Sequence, residues 1–102
     1  METGAQLILG ERQRQASEEG WTFEHDDRHK NNELVKAAIC YLETESTRKL
    51  AGPHYSHPEV VPHKWPWDDK YWKPTPNDRI RELIKAGALI AAEIDRLKRL
   101  KP

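Results

Sequence analysis

Five prolines fall between residues 44 and 75, and they constrain the fold more than any other feature of this sequence. Proline lacks a backbone N–H, and its ring clashes with the preceding turn of a helix. Neither a long helix nor a central strand can therefore cross this segment. A loop of this length is unusual in a small domain and indicates function, disorder or short hidden elements. The five residues are Pro53, Pro58, Pro62, Pro66 and Pro74.

The two halves of this proline-rich segment differ in their aromatic content. The stretch KWPWDDKYWKP carries three tryptophans and a tyrosine, which are costly to leave in water. We therefore expect the second half to pack over the helices as a lid. The first half, TESTRKLAGPHYSHPEV, has no comparable anchor and is compatible with a mobile loop.

The composition fits one small domain spanning residues 1–102. Seventeen Lys and Arg balance seventeen Asp and Glu, so there is no bulk electrostatic case for binding a nucleic-acid polymer or an anionic membrane. The single cysteine, Cys40, excludes an intrachain disulfide and any multi-cysteine zinc site, and we expect it to be buried on a helix. The N-terminus lacks the pattern of a signal peptide, and no stretch is long enough to span a membrane, so we expect a cytoplasmic protein.

Two helices are predicted before the proline-rich segment. The first covers residues 4–19, with Thr3 and Gln6 as a capping box and Gly20 at the left-handed C-terminal position. Its centre is polar, so only Leu7, Ile8 and Ala16 are expected to form an apolar stripe. The second covers residues 33–44, starts after Asn31 or Asn32, and presents a broad apolar face. That face comprises Leu34, Ala38, Tyr41 and Leu42, with Val35 and Ile39 beside it.

The last predicted helix covers residues 76–100. Thr75 is expected to cap it, with Pro76 in the first helical position and Asp78 completing a variant of the capping box. Its small run AGALIAA allows another backbone to approach closely, either within the domain or in a second subunit. The predicted fold is therefore mainly α, a three-helix domain with residues 45–75 as a loop packed over it. Helical spacing places the apolar residues Ile80, Leu83, Ile84, Gly87, Ile90 or Ala91, Ile94 and Leu97 on one face.

An acidic stretch, EHDDRH, lies between the first two helices and has three interpretations. In a helix, His25, His29 and Glu33 would share one face and could chelate a divalent ion. In a turn, Asp26 and Asp27 would suit Mg²⁺ or Mn²⁺ instead. The simplest interpretation is a solvated loop whose aspartates bond to their own backbone, and we predict no metal.

Aromatic residues with interleaved lysines form a second group that can carry chemistry. Rings beside cations suit stacking on a nucleobase while a cation pairs with phosphate. Alternatively, the same rings are the core that the polar first helix cannot supply. A third group, the histidines of the proline-rich segment, matches no zinc pattern and is taken as loop histidines. These are His54, His57 and His63.

Two resemblances add to these patterns. The stretches EEGWTFEHDD, ELVKAAICYL, WPWDDKYWKP and LIKAGALIAAEIDRL resemble a family of small, mostly uncharacterised bacteriophage and prophage proteins over nearly the whole chain. More distantly, EEGW, the Asp-Asp pair and NDRIRELIKAGAL are similar to the ryanodine-receptor repeat domain. The departure is the additional KWPWDDKYWKP and the absence of a match before Gly20. The corresponding positions are Gly20, Trp21, Asp26, Asp27, Asp78 and Arg79.

The second resemblance implies a ligand-binding module that holds a small nucleotide signal away from a host defence effector. A metal-dependent nucleotide pyrophosphohydrolase of the MazG type is the alternative. Its paired-Glu helix followed by Glu-x-x-Asp is out of register here, because Glu93 and Asp95 lie two apart. A second alternative is an inhibitor that binds a host protein through a Trp-rich surface.

The leading hypothesis is thus a non-catalytic, cofactor-free binding protein for a small nucleotide-like molecule, acting as a homo-oligomer through the small-residue face of the last helix. Trp21 and Trp72 are expected to stack, Lys73 and Arg79 to neutralise phosphate, and an aspartate to accept hydrogen bonds. The full set of predicted ligand-binding residues is Trp21, His25, Asp26, Asp27, Trp65, Trp67, Trp72, Lys73 and Arg79.

Overall fold

The protein is mainly α-helical, as predicted. The computed structural model describes residues 1–57 and 59–100, and this part of the chain contains helices and turns but no strand. Three single-turn 3₁₀ helices, Lys49–Ala51, Pro53–Ser56 and Asp69–Tyr71, lie in the proline-rich segment. The α-helices are α1 (Gly4–Glu18), α2 (Phe23–Asp27), α3 (Glu33–Leu42), α4 (Glu45–Arg48) and α5 (Arg79–Leu100).

Helix α1 begins and ends as predicted but packs differently. The Thr3 and Gln6 capping box is present, and Gly20 follows the helix with a φ of +72°. Leu7, Ile8 and Ala16 are only half-buried. The residues that α1 buries are instead Glu11 and Gln15. The side of α1 that packs against the other helices is therefore largely polar, in place of the apolar stripe that was predicted.

The acidic stretch forms helix α2 rather than a turn. Thr22 caps it, since its side-chain oxygen accepts the His25 N–H at 3.4 Å. The helix ends at Asp27 and buries Asp26. His29 lies beyond the end of the helix, with its ring centroid 4.6 Å from that of His25.

Helix α3 is the centre of the core. Leu34, Ala37, Ala38, Cys40 and Tyr41 are buried, which confirms the expected burial of the cysteine. The prediction was wrong for two residues of the apolar face: Val35 and Leu42 lie at the exposed edge of α3.

Both ends of α3 differ from the prediction. Asn32 occupies the N-terminal cap position in a left-handed conformation, without a side-chain capping bond. The helix ends at Leu42, two residues earlier than predicted, because Glu43 is extended and Thr44 caps helix α4.

The proline-rich segment contains no long helix, as the prolines require. It contains α4 and the three 3₁₀ turns, so part of it is regular where a loop was predicted. Its second half packs on the core, where Trp65 and Trp72 are buried against Tyr41 with ring centroids 5.7 Å and 4.8 Å from it. Of the five prolines, Pro58 lies outside the described residues.

Helix α5 starts three residues later than predicted. Thr75 and Asp78 close a turn in which the Asp78 N–H donates to the Thr75 carbonyl at 2.9 Å, with Pro76 and Asn77 between them. The Asp78 carboxylate then accepts the Arg81 N–H at 3.0 Å, so Asp78 caps the helix in place of Thr75. Both residues are good caps, and the Pro-Asn pair favours the turn.

The faces of α5 are also redistributed. Ala86, Ala88, Leu89 and Ala92 are buried, so the protein's own core occupies the small-residue face that we expected to pair subunits. Most of the apolar residues that helical spacing places on one face of α5 lie instead at the surface. Those exposed are Ile80, Leu83, Ile90, Ile94 and Leu97. Across residues 1–57 and 59–100, no helix combines the length and the apolar character needed to cross a membrane.

Candidate functional site

A cleft of about 470 Å³ opens between α1, the end of α3, the Asp69–Tyr71 turn and α5. Its volume lies within the range of small-molecule pockets, roughly 300–1,000 Å³. The wall combines aromatic rings with charges of both signs. The lining residues are Glu11, Arg14, Gln15, Glu18, Glu19, Trp21, Tyr41, Tyr71, Lys73, Arg81, Lys85 and Leu89.

Glu11 lies on the α1 side of this cleft within a dense set of donors. Arg14 approaches both carboxylate oxygens at 2.8 Å and 2.9 Å, and Arg81 of α5 approaches one of them at 2.6 Å. Burial alone would raise the pKa of Glu11, but the hydrogen bonds and charges of Arg14 and Arg81 outweigh it and lower the pKa. The carboxylate is therefore ionised and links α1 to α5.

Gln15, one turn further along α1, has a side-chain acceptor to spare. Its Nε2 donates to Glu11 at 3.0 Å, which fixes the orientation of the amide. Its Oε1 is buried and has no hydrogen-bond partner among the described residues. Since buried polar atoms are normally paired, this oxygen is a candidate acceptor for a ligand N–H or a bound water.

Three cations converge on the opposite side of the cleft. Arg81 and Lys85 lie four residues apart on α5, and Lys73 follows the last 3₁₀ turn. Lys85 donates to the Lys73 carbonyl at 2.7 Å and lies 5.5 Å from the centroid of the Tyr41 ring. Burial, followed by the nearby charge of Arg81, lowers the pKa of Lys85. Lys73 extends into solvent, 3.8 Å from Glu19.

Trp21 lines the cleft and also belongs to a cluster of four rings, formed with His25, His29 and Trp67. Its indole stacks on the His25 ring at 5.7 Å and contacts Trp67 at 5.6 Å, and Trp67 lies 5.1 Å from His29. Burial, then the neighbouring His25, lower the pKa of His29 and favour its neutral form. Trp21 and Lys73 are therefore the only predicted ligand-binding residues among those that line the cleft. His25 and Trp67 lie behind Trp21.

The two aspartates of the predicted acidic site are already paired with arginines. Asp26 is fully buried and accepts from Arg12 of α1 at 2.9 Å. Asp27 is exposed and accepts from Arg99 of α5 at 2.7 Å. Neither lines the cleft. Both bonds hold α2 against its neighbours.

The remaining predicted ligand-binding residues have structural contacts. Trp65 and Trp72 are buried in the core, and the Trp65 indole N–H donates to the Asp68 carbonyl at 3.1 Å. Arg79 donates to the carbonyls of Tyr41 and Leu42 at the end of α3, which satisfies two acceptors that a helix terminus leaves free. These three residues are therefore not part of the cleft.

Sequence reasoning missed most of the cleft, although a signal existed. Glu11 and Gln15 on α1, and Arg81 and Lys85 on α5, are each four residues apart, the spacing of one helical face. When the apolar stripe of a helix is too narrow to explain its packing, its polar stripe is the next candidate for the buried side.

Of the histidines in the proline-rich segment, His54 lies in the 3₁₀ helix Pro53–Ser56, whereas His57 and His63 lie in loops, as predicted. His54 and His57 are exposed, and His63 lies 5.5 Å from the Tyr55 ring. Within residues 1–57 and 59–100, no group of three or more His, Cys, Asp or Glu side chains is placed to hold a metal ion.

No protein-family model matches the chain, and no curated protein and no solved structure matches it. The functional argument therefore rests on the geometry of the site.

Proposed function

We propose that this protein binds a small nucleotide-like molecule in the cleft between α1 and α5, without catalysing a reaction on it. The observation that carries the proposal is the convergence of Lys73, Arg81 and Lys85 on a cleft that also holds Trp21 and Tyr71. Aromatic faces stack on a base, and neighbouring ammonium and guanidinium groups pair with phosphate. Both requirements of a nucleotide are met within one cavity of suitable volume.

The buried amide of Gln15 supports a ligand that carries N–H donors. Its Oε1 lies at the cleft wall without a protein partner among the described residues. An amino group or ring N–H of a base would satisfy this oxygen, whereas an ionised phosphate oxygen, which only accepts, would not. A signalling nucleotide, which the protein would sequester, is the ligand that the similarity to the ryanodine-receptor repeat implies.

Two other functions are less well supported by the contacts. A metal-dependent pyrophosphohydrolase would need free carboxylates, whereas Asp26 and Asp27 each pair with an arginine. An inhibitor that docks through tryptophans would need them at the surface, whereas Trp65 and Trp72 are buried.

Calorimetry against a panel of cyclic and linear nucleotides tests the proposal. We expect saturable one-to-one binding to at least one member of the panel, weakened about tenfold or more by Lys85→Gln and by Lys73→Gln, since each removes a charge-assisted bond. Lys64→Gln is the matched control, because Lys64 pairs with Glu43 and does not line the cleft. No heat with any nucleotide, or equal affinity in all three variants, would contradict the proposal.

The same samples distinguish binding from hydrolysis. The nucleotide should remain intact after long incubation with Mg²⁺ or Mn²⁺, as measured by ion-exchange chromatography. Hydrolysis of a nucleoside triphosphate that Asp27→Ala abolishes would instead establish the enzymatic alternative.

We further propose that two copies associate through the exposed apolar face of α5. Leu83, Ile90 and Leu97 are exposed and follow one another at seven-residue intervals, and the exposed Ile80 and Ile94 lie two such intervals apart, which is the spacing of a coiled-coil seam. Leu83 and Leu97 are equidistant from Ile90, so two antiparallel copies would place leucine opposite leucine around a central isoleucine pair. The formal net charge of zero adds no repulsion between copies.

A further inference from the structure

The rings of His25 and His29 pack edge to face, with their centroids 4.6 Å apart and their Nε2 atoms 3.5 Å apart. On the far side of each ring, Nδ1 lies beside a carboxylate. His25 Nδ1 is 3.5 Å from Asp26 Oδ1, and His29 Nδ1 is 3.5 Å from Glu33 Oε2. The two rings therefore share one arrangement, with a carboxylate behind and a second imidazole nitrogen in front.

The tautomers of the two rings decide what their Nε2 atoms can do. A carboxylate accepts hydrogen bonds, so the tautomer with the proton on Nδ1 points an N–H towards Asp26 or Glu33. When both rings adopt it, both Nε2 atoms keep their lone pairs; in the other tautomer, one Nε2 donates to its neighbour. A cation bound by both Nε2 atoms would select the first tautomer.

The distance between the two nitrogens fits a tetrahedral transition-metal ion. Two Zn–N bonds of about 2.0–2.1 Å at a tetrahedral angle place their nitrogens about 3.4 Å apart. Imidazole suits Zn²⁺, Ni²⁺ and Cu²⁺ better than Mg²⁺ or Ca²⁺. We propose that His25 and His29 form a two-histidine site for Zn²⁺ or a chemically similar ion, with water completing its coordination.

Asp26 and Glu33 would act as positioning residues in this site. A metal-bound histidine usually donates its other N–H to a carboxylate, which fixes the ring and strengthens it as a ligand. Arg12 holds Asp26 in place at 2.9 Å, and the Asn31 N–H donates to Glu33 at 2.6 Å. Glu33 thus approaches His29 from behind, rather than joining a three-residue chelate on one helical face.

The surroundings keep the site accessible and give it a spectroscopic reporter. The His25 and His29 side chains retain 31% and 15% of their exposure, so an ion can reach them. The indole of Trp21 stacks on His25, and that of Trp67 packs beside His29. A paramagnetic ion bound between the histidines would therefore quench the fluorescence of both tryptophans.

Calorimetric titration of the chelator-treated protein with Zn²⁺ alone tests the site. We expect one-to-one binding that weakens at least tenfold in both His25→Gln and His29→Gln, because each removes one of two protein ligands. His63→Gln, a change to a histidine outside the cluster, should leave the affinity unchanged. Circular dichroism of each variant establishes that the helices remain intact.

Two further measurements separate a built site from weak surface binding. Cu²⁺ should quench the tryptophan fluorescence saturably in the wild type and in His63→Gln, but not in His25→Gln. Glu33→Gln should weaken Zn²⁺ binding about tenfold without abolishing it, the effect expected of a positioning residue. Equal Zn²⁺ affinity in the wild type and both histidine variants, or no saturable binding, would overturn the inference. Because no nucleotide is present, the result is independent of the proposed ligand cleft.

Discussion

Glu11 is the buried residue whose contacts most directly join two long helices. It receives donors from Arg14 and Gln15 of α1 and from Arg81 of α5. Removing one partner of a buried ion pair leaves the others with an unpaired charge, which costs about 3–5 kcal/mol. At the residue scale, buried polar contacts of α1 therefore contribute the stability that an apolar stripe contributes in most helices.

We expect Glu11→Gln to lower the free energy of unfolding by about 3 kcal/mol, because the amide cannot satisfy two guanidinium groups. Glu18→Gln is the matched control on the same helix, since Glu18 is exposed and its single ion pair is worth at most about 1 kcal/mol. Urea denaturation of both variants measures the difference. A loss in Glu11→Gln no larger than in Glu18→Gln would contradict the role of the buried carboxylate.

The same carboxylate predicts how stability depends on pH. The charged groups that face Glu11 are Arg14 of its own helix and Arg81 and Lys85 of α5, and the two arginines lower its pKa below the ordinary value of 4.5. The unfolded chain then binds a proton at higher pH than the folded chain does, so protonation favours unfolding. The contribution is complete above about pH 4.5 and is lost as pH falls through the lowered pKa.

We therefore expect the wild type to lose more stability than Glu11→Gln does between about pH 6 and about pH 3.5. The midpoint of denaturant unfolding, measured for both proteins at each pH, gives the comparison. Parallel losses in the two proteins would assign the acid sensitivity to other carboxylates.

At the scale of secondary-structure elements, the packing of α1 against α5 depends on Gly87. A Cβ added at this position would lie 2.6 Å from Ile8 Cδ1 and 2.8 Å from Ile8 Cγ1. Both distances are too short for carbon atoms in contact. The glycine therefore lets Ile8 of α1 lie directly against the backbone of α5.

We expect Gly87→Ala to destabilise the wild type by about 1 kcal/mol, because the clash with Ile8 exceeds the helix-propensity gain of roughly 1 kcal/mol. In an Ile8→Ala background, the same substitution should stabilise by about 1 kcal/mol, since the clash is gone. Thermal unfolding of the four proteins in this double-mutant cycle measures the coupling. The same effect of Gly87→Ala in both backgrounds would show that α1 does not approach α5 at this point.

Helix positions were largely predictable because their signals are local. Thr3 with Gln6 starts α1 and Gly20 follows its end, and both features depend only on neighbouring residues. The predicted start of α5 was wrong because Thr75 and Asp78, three residues apart, are both good N-terminal caps. The choice between them depended on whether Pro76 and Asn77 entered the helix or formed a turn.

At the scale of the whole molecule, the exposed apolar face of α5 is the surface through which we propose that two copies associate. We expect a dimer in solution, and Ile90→Lys should convert it to a monomer because it places two like charges at the centre of the seam. Leu50→Lys is the control, since Leu50 is 88% exposed and lies in the proline-rich segment away from α5.

Sedimentation velocity over a range of concentrations distinguishes these species. A wild type that stays monomeric at the highest attainable concentration would contradict the dimer, as would an unchanged dimer in Ile90→Lys. The small-residue face of α5 cannot substitute as the interface, because Ala86, Ala88 and Ala92 are buried within the chain.

The candidate cleft also belongs to this scale. Its wall combines residues from α1, α3, the last 3₁₀ turn and α5, which are far apart in sequence. Trp21 and Lys73 could be named beforehand because an aromatic ring or a cation in a loop is conspicuous by itself. Arg81 and Lys85 could not, since nothing local distinguishes them from other charged residues on a helix.

The sequence by itself determined the class of the fold, the approximate positions of α1, α3 and α5, the packing of the second half of the proline-rich segment on the helices, and the burial of Cys40. These features follow from caps, prolines and the cost of solvating large rings, all of which act locally. Only the tertiary structure decided which face of α5 is buried, which partners Asp26 and Asp27 take, and that polar residues of α1 face inward. The physical reason is that a helix with both an apolar and a small-residue face can pack by either one, and its neighbours make the choice.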